Sequence, residues 1–180
     1  MEDKIVYFEN PGQENTAATF DVVDGALSEL SIRKIVLAST RGDTARHAMD
    51  RYQGQDIRLI VVPHQYGFGP GQRFPPELVE RAQKEGHVVY FGTMLFHQEK
   101  LFGQGPAQWV ANFLRAFCQG VKVCVEILLM AGNAGLVEQG EEVIVVSGTG
   151  RGADTALVMT GTTSTDLKGM HVSRILCKPL

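Results

Sequence analysis

The segment Ser147-Gly148-Thr149-Gly150-Arg151-Gly152-Ala153-Asp154-Thr155 places three glycines within five residues, with an arginine among them. Glycine lets a backbone turn tightly and approach a ligand closely. Successive amides in such a turn form a nest for an anion. The segment leads into a strand-like run, so helix capping does not account for it, and anion binding is favoured over a purely structural turn. Gly148, Gly150 and Ala153 also fit a GxGxxA pattern. No long helix follows, however, and no later βαβ unit supplies a ribose-binding acid, which separates the segment from a dinucleotide fingerprint. A GxxxxGK[ST] phosphate loop is absent from the sequence.

Two further turns share the order Gly, then Asn or Asp, then Thr-Ala. They are Gly12-Gln13-Glu14-Asn15-Thr16-Ala17 and Gly42-Asp43-Thr44-Ala45. Asn15 and Asp43 are expected to cap helices, and free amides at a helix start attract phosphate. The threonine hydroxyls can donate to phosphate oxygens, and Arg41 and Arg151 stand ready for charge-assisted contacts. Taken singly, each of these two turns reads as ordinary capping.

Acid–base candidates are fewer. Lys122, Glu126 and Asn133 fall close to one face of the otherwise apolar run Val121 to Met130. Lys122 and Glu126 are four apart and can pair. A solvent-facing stripe or subunit contact is slightly favoured over a polar pair reaching a ligand. His64 ends a strand-like run and has the chemistry of an acid/base near neutrality. His97 has a weaker case still. Trp109 and Phe113 are expected in the core. Cys118, Cys124 and Cys177 form no CxxC pair and read as small buried hydrophobes. The five histidines lack metal-site spacing, so no metal is expected.

The elements that must position these residues alternate. Strands are expected at Lys4–Phe8, Arg33–Ala38, Ile57–Pro63, His87–Phe91 and Glu142–Val146, followed by Thr155–Met159 and Val172–Cys177 as an antiparallel edge or hairpin. Helices are expected at Asn15–Leu30, at Asp43–Gln53, after Pro75-Pro76, and from Pro106 to about Gly132 with a break at Gly120. Long loops run from His64 to Phe74 and from Thr93 to Gly105. The central strands are continuous apolar runs, as in a mostly parallel sheet covered on both faces. One domain over residues 1–180 follows. With 44% hydrophobic and 21% charged residues and a net charge of −3, the chain is not expected to bind nucleic acid. No apolar stretch reaches bilayer length, and the acidic start lacks the pattern of a signal peptide, so a cytoplasmic location without membrane association is expected.

The stretch Val36 to Ala45 resembles the strand–turn–helix of the pyruvate kinase C-terminal domain. The whole chain is similar to stand-alone proteins of that type from archaea and bacteria. The similarity is carried by Tyr7 to Gly12 with Asn15-Thr16, the Ser39 to Ala45 turn, Gln119 to Glu126, and Gly148 to Ala156. The resemblance implies a three-layer α/β/α fold, with a five-stranded sheet in the order 3-2-1-4-5 and a late antiparallel strand. The turn that holds the phosphate of a sugar-bisphosphate effector in regulated relatives is matched here by Thr40, Gly42, Thr44 and Ala45, which implies phosphate contacts there. Asp43 departs from that pattern by placing a carboxylate in the turn. Pyruvate kinase catalysis is not implied, because it resides in a separate barrel domain.

The expectation is therefore a phosphorylated small molecule bound by Asn15, Thr16, the Ser39–Thr44 turn and the Gly148–Thr155 turn, with flavin mononucleotide (FMN) the preferred candidate. Two alternatives remain open. One is an enzyme acting on a phosphorylated metabolite through Lys122, Glu126 or His64. The other is a regulatory or assembly module, in which Trp109 to Met130 forms a homo-oligomer contact.

Overall fold

In a computed structural model, which describes residues 4–98, 103 and 105–180, the apolar runs line up in a seven-stranded sheet. The strands are β1 (Val6–Phe8), β2 (Lys34–Ala38), β3 (Arg58–Val62), β4 (Val88–Val89), β5 (Glu142–Ser147), β6 (Thr155–Thr160) and β7 (His171–Pro179), in the order β1-β7-β6-β5-β2-β3-β4. All neighbouring pairs are parallel except those made by β6, which runs antiparallel to both β5 and β7. The helices are α1 (Thr16–Leu30), α2 (Asp43–Arg51), α3 (Pro76–Lys84), α4 (Pro106–Arg115) and α5 (Gln119–Asn133).

Side chains alternate across a strand, and here both sets are apolar. Ile35, Leu37, Leu59, Val61, Ile144 and Val146 face a core shared with Phe20 and Val23 of α1, Met49 of α2 and Leu78 of α3. Val36, Ile60, Val62, Val143 and Val145 face a second core, shared with Cys124, Val125 and Leu128 of α5. The result is the expected three-layer α/β/α architecture.

The sheet order corrects the expectation in one respect. Counted from β2, the strands β2 to β6 do follow 3-2-1-4-5, but the N-terminal strand is not among them. It lies at the outer edge beside β7, with Val6 opposite Cys177. The late pair is antiparallel as expected, but β1 covers its outer edge.

The helical region after Pro106 breaks at residues 116–118 and not at Gly120. The Cys118 thiol caps α5 by accepting from the Val121 amide at 3.3 Å. Gly120 lies inside the first turn, where a Cβ would collide with Thr155 of β6. Its glycine serves close helix–strand approach. Trp109 and Phe113 correct another expectation, being 69% and 70% exposed on the outer face of α4. Part of the expected second long loop, residues 99–102 and 104, and residues 1–3 lie outside the described residues.

Candidate functional site

The ends of β2, β3 and β5 open into one cleft of about 550 Å³, and α5 forms its floor. Such a position, beyond the carboxyl ends of parallel strands, is where open α/β sheets bind ligands.

At the end of β2 the chain turns through Ser39 to Gly42 into α2. Gly42 has φ +89°, and Leu78 and Pro75 leave no room for a Cβ there. The helix cap differs from the expected one. Asp43 is the first helical residue and makes no capping bond, while Ser39 Oγ accepts the Ala45 amide at 3.2 Å. Thr40, Arg41, Asp43 and Thr44 line the cleft. Asp43 complements the positive end of the helix dipole, yet repels an anion approaching the same amides.

At the end of β5 the loop 148–154 is held by one carboxylate. Buried Asp154 accepts the amides of Gly12 and Thr149 through Oδ2, each at 3.0 Å, and the Thr155 hydroxyl through Oδ1 at 2.8 Å. The Asp154 amide donates to Ser147 O, closing the loop at its base. The Ala153 amide donates to Thr16 Oγ1 at 3.0 Å. The amides of Gly148, Gly150 and Gly152 find no acceptor among the described residues, and all three glycines line the cleft together with Arg151. Gly150 and Gly152 adopt φ +78° and +69°, the left-handed region that favours glycine.

The first of the three look-alike turns is placed elsewhere. Neither Asn15 nor Thr16 lines the cleft. Asn15 makes no side-chain cap either. Its Nδ2 donates to Asn10 O, and the Thr16 hydroxyl donates to Gln13 O. This turn packs under the 148–154 loop, where Gly152 leaves no space for a Cβ against Thr16. Thr149, Ala153, Asp154 and Thr155 likewise hold the loop without lining the cavity.

On the floor, Lys122 and Glu126 are not the solvent-facing stripe that was slightly favoured. Lys122 is 0% exposed and Glu126 2%, with Nζ 2.5 Å from Oε2. Glu126 Oε1 accepts the Phe96 amide at 2.8 Å and lies 3.2 Å from His97 Nδ1. Lys122 Nζ is also 3.4 Å from His97 Nδ1 and 5.5 Å from the centre of the Phe96 ring. Burial alone would push the Glu126 carboxyl up. The His97 hydrogen bond, the Lys122 charge and hydrogen bond, and the Phe96 amide outweigh it and hold the group below the ordinary glutamate value. Asn133 belongs to another contact, bonding Ser164 on the exposed side.

His64 lies at the end of β3 as expected and lines the same cleft. Burial, followed by the nearby His97 and Arg73 charges, lowers its pKa. The Phe68 ring packs edge-on against both imidazoles, 4.6 Å from His64 and 5.2 Å from His97. His97, Phe68 and Arg73 are the cleft residues that the sequence reading undervalued. Nothing local marks them, because only the fold carries these two loops over α5. Arg41, Arg73 and Arg151 make no ion pair among the described residues, which leaves the rim of the cleft basic.

The model of the family "Pyruvate kinase, alpha/beta domain" matches residues 18–159. The chain belongs to this family. The match runs from α1 through β6, and so includes the turn after β2, the loop after β5 and the α5 floor. Among solved structures, the chain is similar to a pyruvate kinase from Cryptosporidium parvum, at 16% identity over 85% of this chain, with a TM-score of 0.43. It is also similar to the Cryptosporidium parvum pyruvate kinase in complex with ADP, at 17% identity over 84% of this chain, with a TM-score of 0.40. In each case the pyruvate kinase alpha/beta domain described here spans 24% of the length of the protein it matches. No helix among the described residues is long and apolar enough to cross a membrane.

Proposed function

We propose that the cleft binds a phosphorylated small molecule, with its phosphate between the Thr40–Thr44 turn and the Gly148–Gly152 loop. One observation carries this reading. Two turns with backbone amides unbonded among the described residues leave paired neighbouring strands, β2 and β5, and line the same cavity with Arg41 and Arg151. Backbone amides and arginines at fixed positions suit phosphate oxygens in both charge and geometry.

FMN is the preferred ligand. The volume of the cleft falls in the range of small-molecule sites, and Phe68 gives its far wall an aromatic surface for a ring system. The residues that would hold the group are Thr40, Thr44 and Arg151 at the phosphate and Phe68 at the ring; once bound, the flavin would supply redox chemistry. Denaturing the purified protein and identifying any released molecule by mass and absorbance tests the proposal. A yellow chromophore of FMN mass is the expected result. A colourless protein whose melting temperature ignores added FMN sinks the flavin version. A melting temperature that also ignores inorganic phosphate sinks the phosphate version.

The exposed Trp109, Val110, Phe113 and Phe117 along α4 and its end favour a second reading, an assembly role through self-association. Size-exclusion chromatography giving a strict monomer counts against it.

A further inference from the structure

We infer that the cleft also moves a proton: His97, positioned by Glu126, is a general base acting on the carbon next to a carbonyl in a phosphorylated hydroxyaldehyde or hydroxyketone. This rests on the phosphate-binding reading and not on its flavin version.

The geometry begins with Glu126. Its Oε2 is occupied by Lys122 Nζ, and its Oε1 takes the Phe96 amide and faces His97 Nδ1. Nδ1 has two neighbours, Glu126 Oε1 at 3.2 Å and the Lys122 ammonium at 3.4 Å; Lys122 is already spent on Glu126 Oε2, so the shorter carboxylate contact sets the proton on Nδ1 and makes Nε2 the acceptor. Nε2 has no partner among the described residues, and the imidazole lines the cleft. Lys122 neutralises the carboxylate, so the pair sits in the apolar floor without an uncompensated charge. The side chain of His97 is 20% exposed, whereas Lys122 and Glu126 are almost inaccessible. All three side chains line the cleft, and the imidazole is the most open of them to a bound molecule.

The second imidazole has the complementary preparation. His64 packs on the same Phe68 ring as His97, and its ring nitrogens have no partner among the described residues. A neutral imidazole N–H can polarise a carbonyl and donate to the developing oxyanion. In the step, His97 Nε2 takes the proton from the carbon. The C–H electron pair becomes the C=C bond of an enediol, and the carbonyl π pair moves to oxygen, which receives the His64 proton. Return of a proton to either carbon regenerates substrate or its isomer. No oxidant, reductant or co-reactant is consumed. The phosphate in the β2 and β5 turns anchors the substrate so that its carbon skeleton points at the two rings. This use of anchoring a remote group for chemistry elsewhere is a general source of rate.

The test is solvent deuterium exchange into dihydroxyacetone phosphate and ribulose 5-phosphate, followed by proton NMR. The wild-type protein is compared with His97→Gln purified in the same way, so that a contaminating enzyme contributes equally to both. Wild type is expected to exchange at least about a hundredfold faster, the usual scale of a positioned base. Both proteins are expected to show the same rise in melting temperature with inorganic phosphate. His64→Gln slows exchange without changing the phosphate response. Glu126→Gln slows exchange while keeping the phosphate response, and Glu126→Asp, which restores the carboxylate, recovers part of the rate; a merely structural role would show no such rescue. Wild type that responds to phosphate yet exchanges no faster than His97→Gln overturns the assignment and leaves the phosphate reading standing. No response to phosphate and no exchange overturn both.

Discussion

The turns after β1 and β5 are near copies in sequence, Gly-Gln-Glu-Asn-Thr-Ala against Gly-Ala-Asp-Thr-Ala, yet they end in opposite conditions. In the first, the polar groups are consumed within the protein. Asn15 bonds Asn10, Thr16 bonds Gln13 and Ala153, and the Gly12 amide goes to Asp154. In the second, the same bonds fix the backbone and leave the amides of Gly148, Gly150 and Gly152, residues that line the cleft, without an acceptor among the described residues. The first turn is the support and the second is the surface it supports. The contrast teaches that a turn proposed to bind phosphate is set apart by which donors remain unspent, and a sequence pattern does not state that.

The comparison can be broken most severely at Asp154, the carboxylate that ties both turns together. Asp154→Ala leaves the Gly12 and Thr149 amides and the Thr155 hydroxyl without their buried acceptor. At about 1–3 kcal/mol for each unsatisfied buried group, chemical denaturation should show a loss of several kcal/mol and phosphate binding should vanish. Gly152→Ala comes next. Its φ of +69° and the lack of room against Gln13 and Thr16 should cost about 1–3 kcal/mol and separate the two turns. Unfolding midpoints check it, and an unchanged midpoint would show that the contact between the turns carries no energy.

Smaller effects sharpen the contrast and leave the fold alone. Arg151→Ala, at an exposed rim position, should leave stability unchanged and weaken phosphate binding about tenfold, equivalent to about 1.4 kcal/mol. Calorimetric titration measures it, and Glu14→Ala on the supporting turn is the matching control with no effect on affinity. Asp43→Asn should act in the other direction. Removing a carboxylate that lines the cleft should tighten phosphate a few-fold, with a cost of about 0.3–1 kcal/mol in helix stability from the lost interaction with the dipole.

Much of the architecture was legible because it depends on burial. Val36, Ile60 and Val145 alternate with Leu37, Val61 and Val146 without a polar break, and only a sheet covered on both faces accepts that. The position of β1 was not legible. A strand of three residues carries too little pattern to name its neighbour. The four-residue spacing of Trp109 and Phe113 shows that they share a face, but not that the face points outward. The burial of Lys122 and Glu126 did have a signal in the sequence: Val121, Val123, Cys124, Val125, Ile127 and Leu128 make a helix that is apolar all round, which is the mark of a buried one. His97 had no local signal, because its place in the cleft depends on a loop crossing over α5.

The lone antiparallel strand, β6, has a consequence for how the molecule can vary. The loop after β5 is anchored at both ends in one ladder, with Ser147 opposite Thr155. Adding or deleting a residue there without bulging the loop would slip the ladder by one, exchanging Ala156 and Val158 of one core with Leu157 and Met159 of the other. The turn after β2 has no such constraint, because it runs into a helix that can absorb a change at its first turn. Descendants of this chain can therefore rewrite the letters of the 148–154 loop but not its length, whereas the turn after β2 is free to lengthen.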